Sequence, residues 1–187
     1  MRWPDKNYLC HVKPCHLTDW RRWPVDPRAF LHALDADGWR IIYLHRDDRV
    51  RHILSLIVAD SRGAYHKQYD NPEVTTIHVD RARFVAGMQR RDIEMQEFEA
   101  LREINHHTVR YERDLQDAAT HQQTIDGVLD FLSLPRRPAS TMLRKVTARP
   151  LQDIVSNYDE FAEWITELGF GASLKEPEEQ SSNGPPV

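Results

Sequence analysis

Arg46 and Ser55 stand nine residues apart, and the hydrophobic period changes between them. Ile41-Ile42-Tyr43-Leu44 is a short β-branched and aromatic run, the pattern of a buried strand. His45-Arg46-Asp47-Asp48 is polar. Val50, Ile53, Leu54, Ile57 and Val58 then recur at helical spacing on one face. Asp47 or Asp48 can cap that helix and complement its N-terminal dipole. The spacing predicts a strand, a tight turn and an amphipathic helix. Arg46 ends the strand, and Ser55 lies two turns into the helix, off the apolar stripe. An arginine offers a planar fork of donors that matches phosphate oxygens, and a serine adds a neutral donor. In open α/β sheets ligands bind outside the carboxyl end of such a strand, beside a helix N-terminus. Two readings stand at this point: an anion site, or an exposed arginine and a solvated helix serine.

Three further groups invite chemistry. Cys10, His11, Cys15 and His16 have metal-ligating side chains, but no second Cys/His pair follows at finger-like distance. Packing of the two cysteines as small apolar groups is the favoured reading. The stretch from Arg136 to Lys145, with Arg149 close behind, is the most basic loop of the chain. His106 and His107 are adjacent, so on a strand they point to opposite sides and make a poor metal pair.

The elements that must position these groups follow from periodicity. Tyr8 to Lys13 reads as a short strand stopped by Pro14. Asp26-Pro27 starts a helix with a Phe30, Leu31, Leu34 stripe, ended by Gly38. Residues 63–73 form a polar loop, and Val74 to Val79 is a short extended piece. Asp80 caps a long helix reaching about Asn105, with Phe84, Met88, Met95, Phe98 and Leu101 inward. His107 to Tyr111 reads as a strand, and Thr120 to Leu132 as a helix with Ile125, Val128, Leu129 and Leu132 inward. Leu151 to Leu168 reads as one helix burying Ile154, Val155, Tyr158, Phe161, Trp164 and Ile165. Strands alternating with helices argue for an α/β fold with a parallel sheet. Residues 1–172 are expected to form one domain. Residues 173–187, rich in Pro, Ser and Glu, are expected to be a disordered tail.

Composition narrows the function classes. The chain has 187 residues and a net charge of −4, so no global basic field draws it to nucleic acid or to an anionic membrane. No apolar run approaches the roughly 20 residues that span a bilayer. The first ten residues lack the apolar core of a signal peptide. Two cysteines are too few for a disulfide scaffold, which makes a cytoplasmic location the default.

The order of short phrases resembles the sulfotransferases that use 3′-phosphoadenosine-5′-phosphosulfate (PAPS). Arg46 and Ser55 match the arginine and serine that hold the nucleotide 3′-phosphate in that family. Tyr111-Glu112-x-Asp114-Leu115 is similar to a strand ending of the family, and Phe131-Leu132-Ser133-Leu134 to its helix ending Phe-Leu-Gly-Leu. Leu143-Arg144-Lys145, Arg149-Pro150-Leu151 and Asn157-Tyr158-Asp159-Glu160 follow in the order found in bacterial relatives. Lys13 followed by His16 resembles the upstream Lys-Thr-His pattern, with the histidine one position later, and no glycine follows Lys145.

The resemblance spans about Lys13 to Phe170. It implies a three-layer parallel-sheet α/β domain related to P-loop nucleoside triphosphate hydrolase folds. It also implies transfer of a sulfuryl group from PAPS, as co-substrate without a metal, to a hydroxyl or amine on a small-molecule, glycan or lipid acceptor. Arg46, Ser55, Arg144 and Lys145 would bind the nucleotide, Lys13 would neutralise the migrating sulfate, and His16 would be a general base. The seven glycines do not cluster into the phosphosulfate-cradling loop with which the family begins. The expectation is therefore a sulfotransferase lacking its N-terminal part, impaired alone and prone to homo-oligomerise through an unpaired strand edge. The alternatives are a non-catalytic remnant that binds adenosine 3′,5′-bisphosphate or a protein partner, and, third, a kinase-like phosphotransferase.

Overall fold

The computed structural model describes residues 8–18, 22–62, 76–141 and 150–175. Their contacts divide the chain into two compact units. One takes residues 1–45 and 90–137, the other residues 46–89 and 138–187. The secondary structure is mixed helix and parallel sheet.

In the first unit, Lys13 precedes a four-residue helix, α1 (Pro14–Leu17). The strand expected over Tyr8 to Lys13 does not form: those residues have no ladder partner, and Tyr8 and Leu9 are exposed. Pro14 starts a helical turn instead of only stopping a strand, as its fixed φ and missing N–H allow at a first helical position. Helix α2 (Pro27–Ala36) begins as its sequence demands, with Asp26 accepting from the Ala29 N–H at 2.7 Å. Strand β1 (Ile41–His45) pairs in parallel with β2 (His106–Arg110), Tyr43 opposite Thr108. Ile41 and Tyr43 pack on a small core of Leu31, Ala100, Leu101 and Ile104. Leu44 stays 57% exposed, so β1 is less buried than its composition suggested. Among the described residues this sheet has two strands. A π-helical turn (Tyr111–Leu115) follows β2 and leads to α5 (His121–Phe131), none of whose residues is fully buried.

The second unit holds the larger core. Helix α3 (Arg49–Arg62) buries Val50, Ile53, Leu54, Ile57 and Val58, the stripe read from the sequence. Helix α4 (Arg81–Glu97) begins here, capped by Asp80 accepting from the Arg83 N–H at 2.7 Å, and continues into the first unit. It ends at Glu97, where a 3-10 segment (Phe98–Glu103) replaces the expected last helical turns; the Phe98 side chain lies outside the described set. Gly87 lets α4 approach α3: a Cβ there would stand 3.0 Å from the Ile53 side chain. Leu151 to Leu168 is two helices, α6 (Leu151–Ile154) and α7 (Tyr158–Glu167), not one. Val155 between them is extended and bridges in parallel to Ile77. Phe84, Phe161 and Trp164 meet edge to face at 5.1–5.8 Å between ring centroids. The tail was expected from Ser173. Its first residues instead close a 3-10 turn (Gly171–Leu174), and Leu174 packs against the core.

Candidate anion site at the start of helix α3

Arg46 follows β1 directly, and α3 starts three residues later. The Arg51 backbone N–H donates to Asp48 Oδ1 at 3.0 Å, so Asp48, of the two aspartates, is the cap. That cap fixes where the helix begins and hence where Ser55 lies. Arg46 Nη1 donates to Ser55 Oγ at 3.4 Å, a long contact between half-buried side chains. Ser55 Oγ in turn donates to the His52 carbonyl at 2.7 Å. The hydroxyl proton is thus used inside the helix, and its lone pairs face Arg46. The two side chains that the spacing singled out do converge.

Two more arginines share this turn. Arg51 Nε lies 3.5 Å from Asp48 Oδ2, with both side chains about four-fifths buried. Arg49 lies over the Phe170 ring, its guanidinium carbon 4.9 Å from the centroid. Sequence reasoning passed over Arg49; the signal for it was three arginines within six positions. Residues 46–51 carry three guanidiniums and two carboxylates, and the N-terminal end of the α3 dipole adds positive potential. Chemically, the turn can hold an anion.

Lys13 and His16 belong to the first unit. Lys13 is exposed and, in place of a strand end, precedes α1. His16 Nδ1 accepts from the Lys13 backbone N–H at 3.2 Å, a local cap. That bond engages the Nδ1 lone pair with the chain's own backbone. Cys15 is buried and Cys10 exposed, both as free thiols. No group of three or more metal-ligating side chains lies together among the described residues. His106 Nδ1 is bonded to the Ile104 carbonyl at 3.1 Å, and His107 stacks on Phe131 at 5.5 Å.

Around α5, Asp114 and Arg136 have structural uses. Asp114 accepts from the Arg110 N–H at 2.7 Å and from Arg113 Nε at 2.6 Å. The Arg113 guanidinium, with that N–H, holds the Asp114 carboxyl below its ordinary value. The Asp114 carbonyl accepts from the Thr120 and Thr124 hydroxyls, which fixes the turn onto α5. Arg136, in the basic loop, is paired with Asp130 at 2.7 Å and lowers its carboxyl. Arg144 and Lys145 lie outside the described residues, as does the 63–73 loop. No helix among the described residues is long and apolar enough to cross a membrane. No protein-family model, no curated protein and no solved structure matches the chain.

Proposed function

We propose that this chain is a sulfotransferase-type α/β protein whose Arg46 and Ser55 hold the 3′-phosphate of PAPS. The observation that carries the reading is their convergence, 3.4 Å apart across the strand–turn–helix step. A phosphate inserted there takes the Arg46 fork, and Ser55 turns its hydroxyl proton from the His52 carbonyl to a phosphate oxygen. Arg49 and the α3 N-terminus add positive potential. A second feature supports the resemblance. Ser133 stands where the family's helix ending has glycine, and it adopts the left-handed φ of 56° that glycine favours. In this reading the parallel β1–β2 pair is part of a three-layer sheet related to P-loop nucleoside triphosphate hydrolase folds. The acceptor is a hydroxyl or amine, Arg144 and Lys145 are further nucleotide-binding residues of the reading, and the protein works in the cytoplasm.

One observation favours binding without transfer as the second reading. The local cap already engages the Nδ1 lone pair of His16, the family-like base. Titration calorimetry tests the shared part. Adenosine 3′,5′-bisphosphate should bind, adenosine 5′-phosphate should bind far more weakly, and Arg46→Ala should cost about 1.5–3 kcal/mol as a charged hydrogen-bond partner is lost. Equal affinity for the two nucleotides would remove the 3′-phosphate assignment. Transfer of labelled sulfate from PAPS to a panel of phenols, sugars and amines then separates enzyme from binder.

A further inference from the structure

Two parts of the first unit are built to pair and stay open. Tyr8-Leu9-Cys10-His11-Val12-Lys13 carries the alternation of a strand, yet among the described residues none donates to or accepts from the backbone of Tyr8 through Val12. Leu9 is 92% exposed and Tyr8 53%. The root of the segment is fixed, because Lys13 runs straight into α1, whose Pro14, Cys15 and Leu17 are buried. Beyond that root the segment is an exposed, largely apolar arm.

Strand β1 is the other open part. The Arg110 N–H donates to Asp114 Oδ2 at 2.7 Å and not across the pair, so in this parallel register the inward peptide groups of β1 belong to Ile41, Tyr43 and His45. Those of Ile42 and Leu44 face the outer edge, where no described residue bonds to them. The Leu44 side chain is exposed as well. Protected edges carry a lysine, a proline or a bulge. Ile41-Ile42-Tyr43-Leu44 carries neither lysine nor proline, and its ladder runs without a bulge.

From the open edge and the unpaired arm we infer that Tyr8–Lys13 of one copy adds as a strand to the outer edge of β1 in a second copy, each chain giving one arm and taking one. Main-chain bonds to Ile42 and Leu44 hold the arm, as in strand addition generally. The lengths match, six residues against five. Alternation puts Tyr8, Cys10 and Val12 on one face of the added strand and Leu9, His11 and Lys13 on the other, so one face sets an apolar row beside Leu44. Reciprocal exchange closes at two copies, where one-way addition would run on as a fibre. The inference does not depend on the nucleotide reading.

Sedimentation equilibrium of the full chain tests it. The average mass should rise from the monomer's toward twice that value between about 1 and 300 µM. Leu9→Pro/Cys10→Pro should stay monomeric across that range. Neighbouring residues of a strand bond to opposite sides, so the double substitution removes a ladder donor in either register. Both positions are exposed and lie outside any helix or strand, so the melting temperature of the monomer should not change. Leu44→Lys, a charge on the edge, should weaken the dimer about tenfold. A native chain that is monomeric throughout would overturn the inference. So would a dimer that survives the proline variant, since it would use another surface, and so would growth past two copies. A dimer lost in the proline variant but untouched by Leu44→Lys would put the arm elsewhere and overturn the edge.

Discussion

The Asn157 amide accepts from the Val79 N–H at 2.9 Å and donates to the Val79 carbonyl at 3.0 Å. One side chain thus extends the ladder begun by Ile77, which donates to the Ile154 carbonyl and accepts from the Ser156 N–H. Val79 is 1% exposed, so removing the amide leaves two backbone groups without compensation. Asn157→Ala should destabilise by about 2 kcal/mol in urea titration. Asn157→Asp should not rescue it, since the carboxylate meets the Val79 carbonyl; losses under about 0.5 kcal/mol in both would show that water replaces the amide. Asp114 sets an acid limit in the same local way. Its folded carboxyl is depressed by Arg113 and the Arg110 N–H, so its contribution is present above the unfolded value near 3.8 and lost as pH falls through the folded one. Stability measured from pH 5 to 2 should fall less steeply in Asp114→Asn than in the native chain, and parallel curves would refute it. Glu103 and Asp130 are depressed too, by Arg28 and Arg136, but in exposed pairs that salt screens. Of these residues only Arg46 and Ser55 were legible as a pair, because one turn of chain brings them together. The role of Asn157 was hidden because its partner lies 78 positions away.

At the scale of elements, α3 shows what periodicity can settle. Its stripe and its cap are both within the chain's own reach, and both stand as read. The Leu151–Leu168 stretch shows the opposite. Ile154, Val155, Tyr158 and Phe161 continue a helical stripe without a gap, yet the backbone opens at Val155 to meet Ile77. A non-local bridge overrides local period there, and nothing in residues 151–168 announces it. The Tyr8 to Lys13 strand failed for the complementary reason: alternation needs a neighbouring strand to pair with. Helix α5 ends in a feature that can be tested. Leu134 N–H donates to the Leu129 carbonyl at 2.8 Å and Ser133 N–H to the Asp130 carbonyl at 3.0 Å, the closing pattern that places residue 133 in the left-handed region. A side chain there costs on the order of 1 kcal/mol that glycine avoids. Ser133→Gly should therefore raise stability by about 0.5–1 kcal/mol. A loss of that size in thermal unfolding would mean that the hydroxyl does more than the backbone argument allows.

For the whole molecule, the division into two units makes stability uneven along the chain. Among the described residues, fifteen buried side chains form one cluster in the unit of residues 46–89 and 138–187, including Phe84, Phe161 and Ile165 at 0% exposure. The cluster in the other unit has four, and α5 adds none that is fully buried. At roughly 1.5–3 kcal/mol for each large apolar side chain buried, that disparity is large against a net folding free energy of about 5–15 kcal/mol. Each unit is built from separated stretches, so neither can be excised as one fragment, and the comparison has to be made within the intact chain. Helix α4 supplies an internal control, since it is one continuous helix shared by both. Its first half carries Phe84 and Met88 at 0% and 6% exposure; its second half carries Ile93 at 57%. Helical hydrogen bonds alone would protect both halves alike. If the buried cluster governs opening, amide exchange should step upward along this one helix near Gln89 and Arg90. Exchange should likewise be slower in α3 and α7 than in α2, β1 and α5. Hydrogen–deuterium exchange with peptide-level mass spectrometry resolves the step. Uniform protection along α4, with β1 as slow as α3, would show that the two units open as one cooperative body and that the larger core does not set the order.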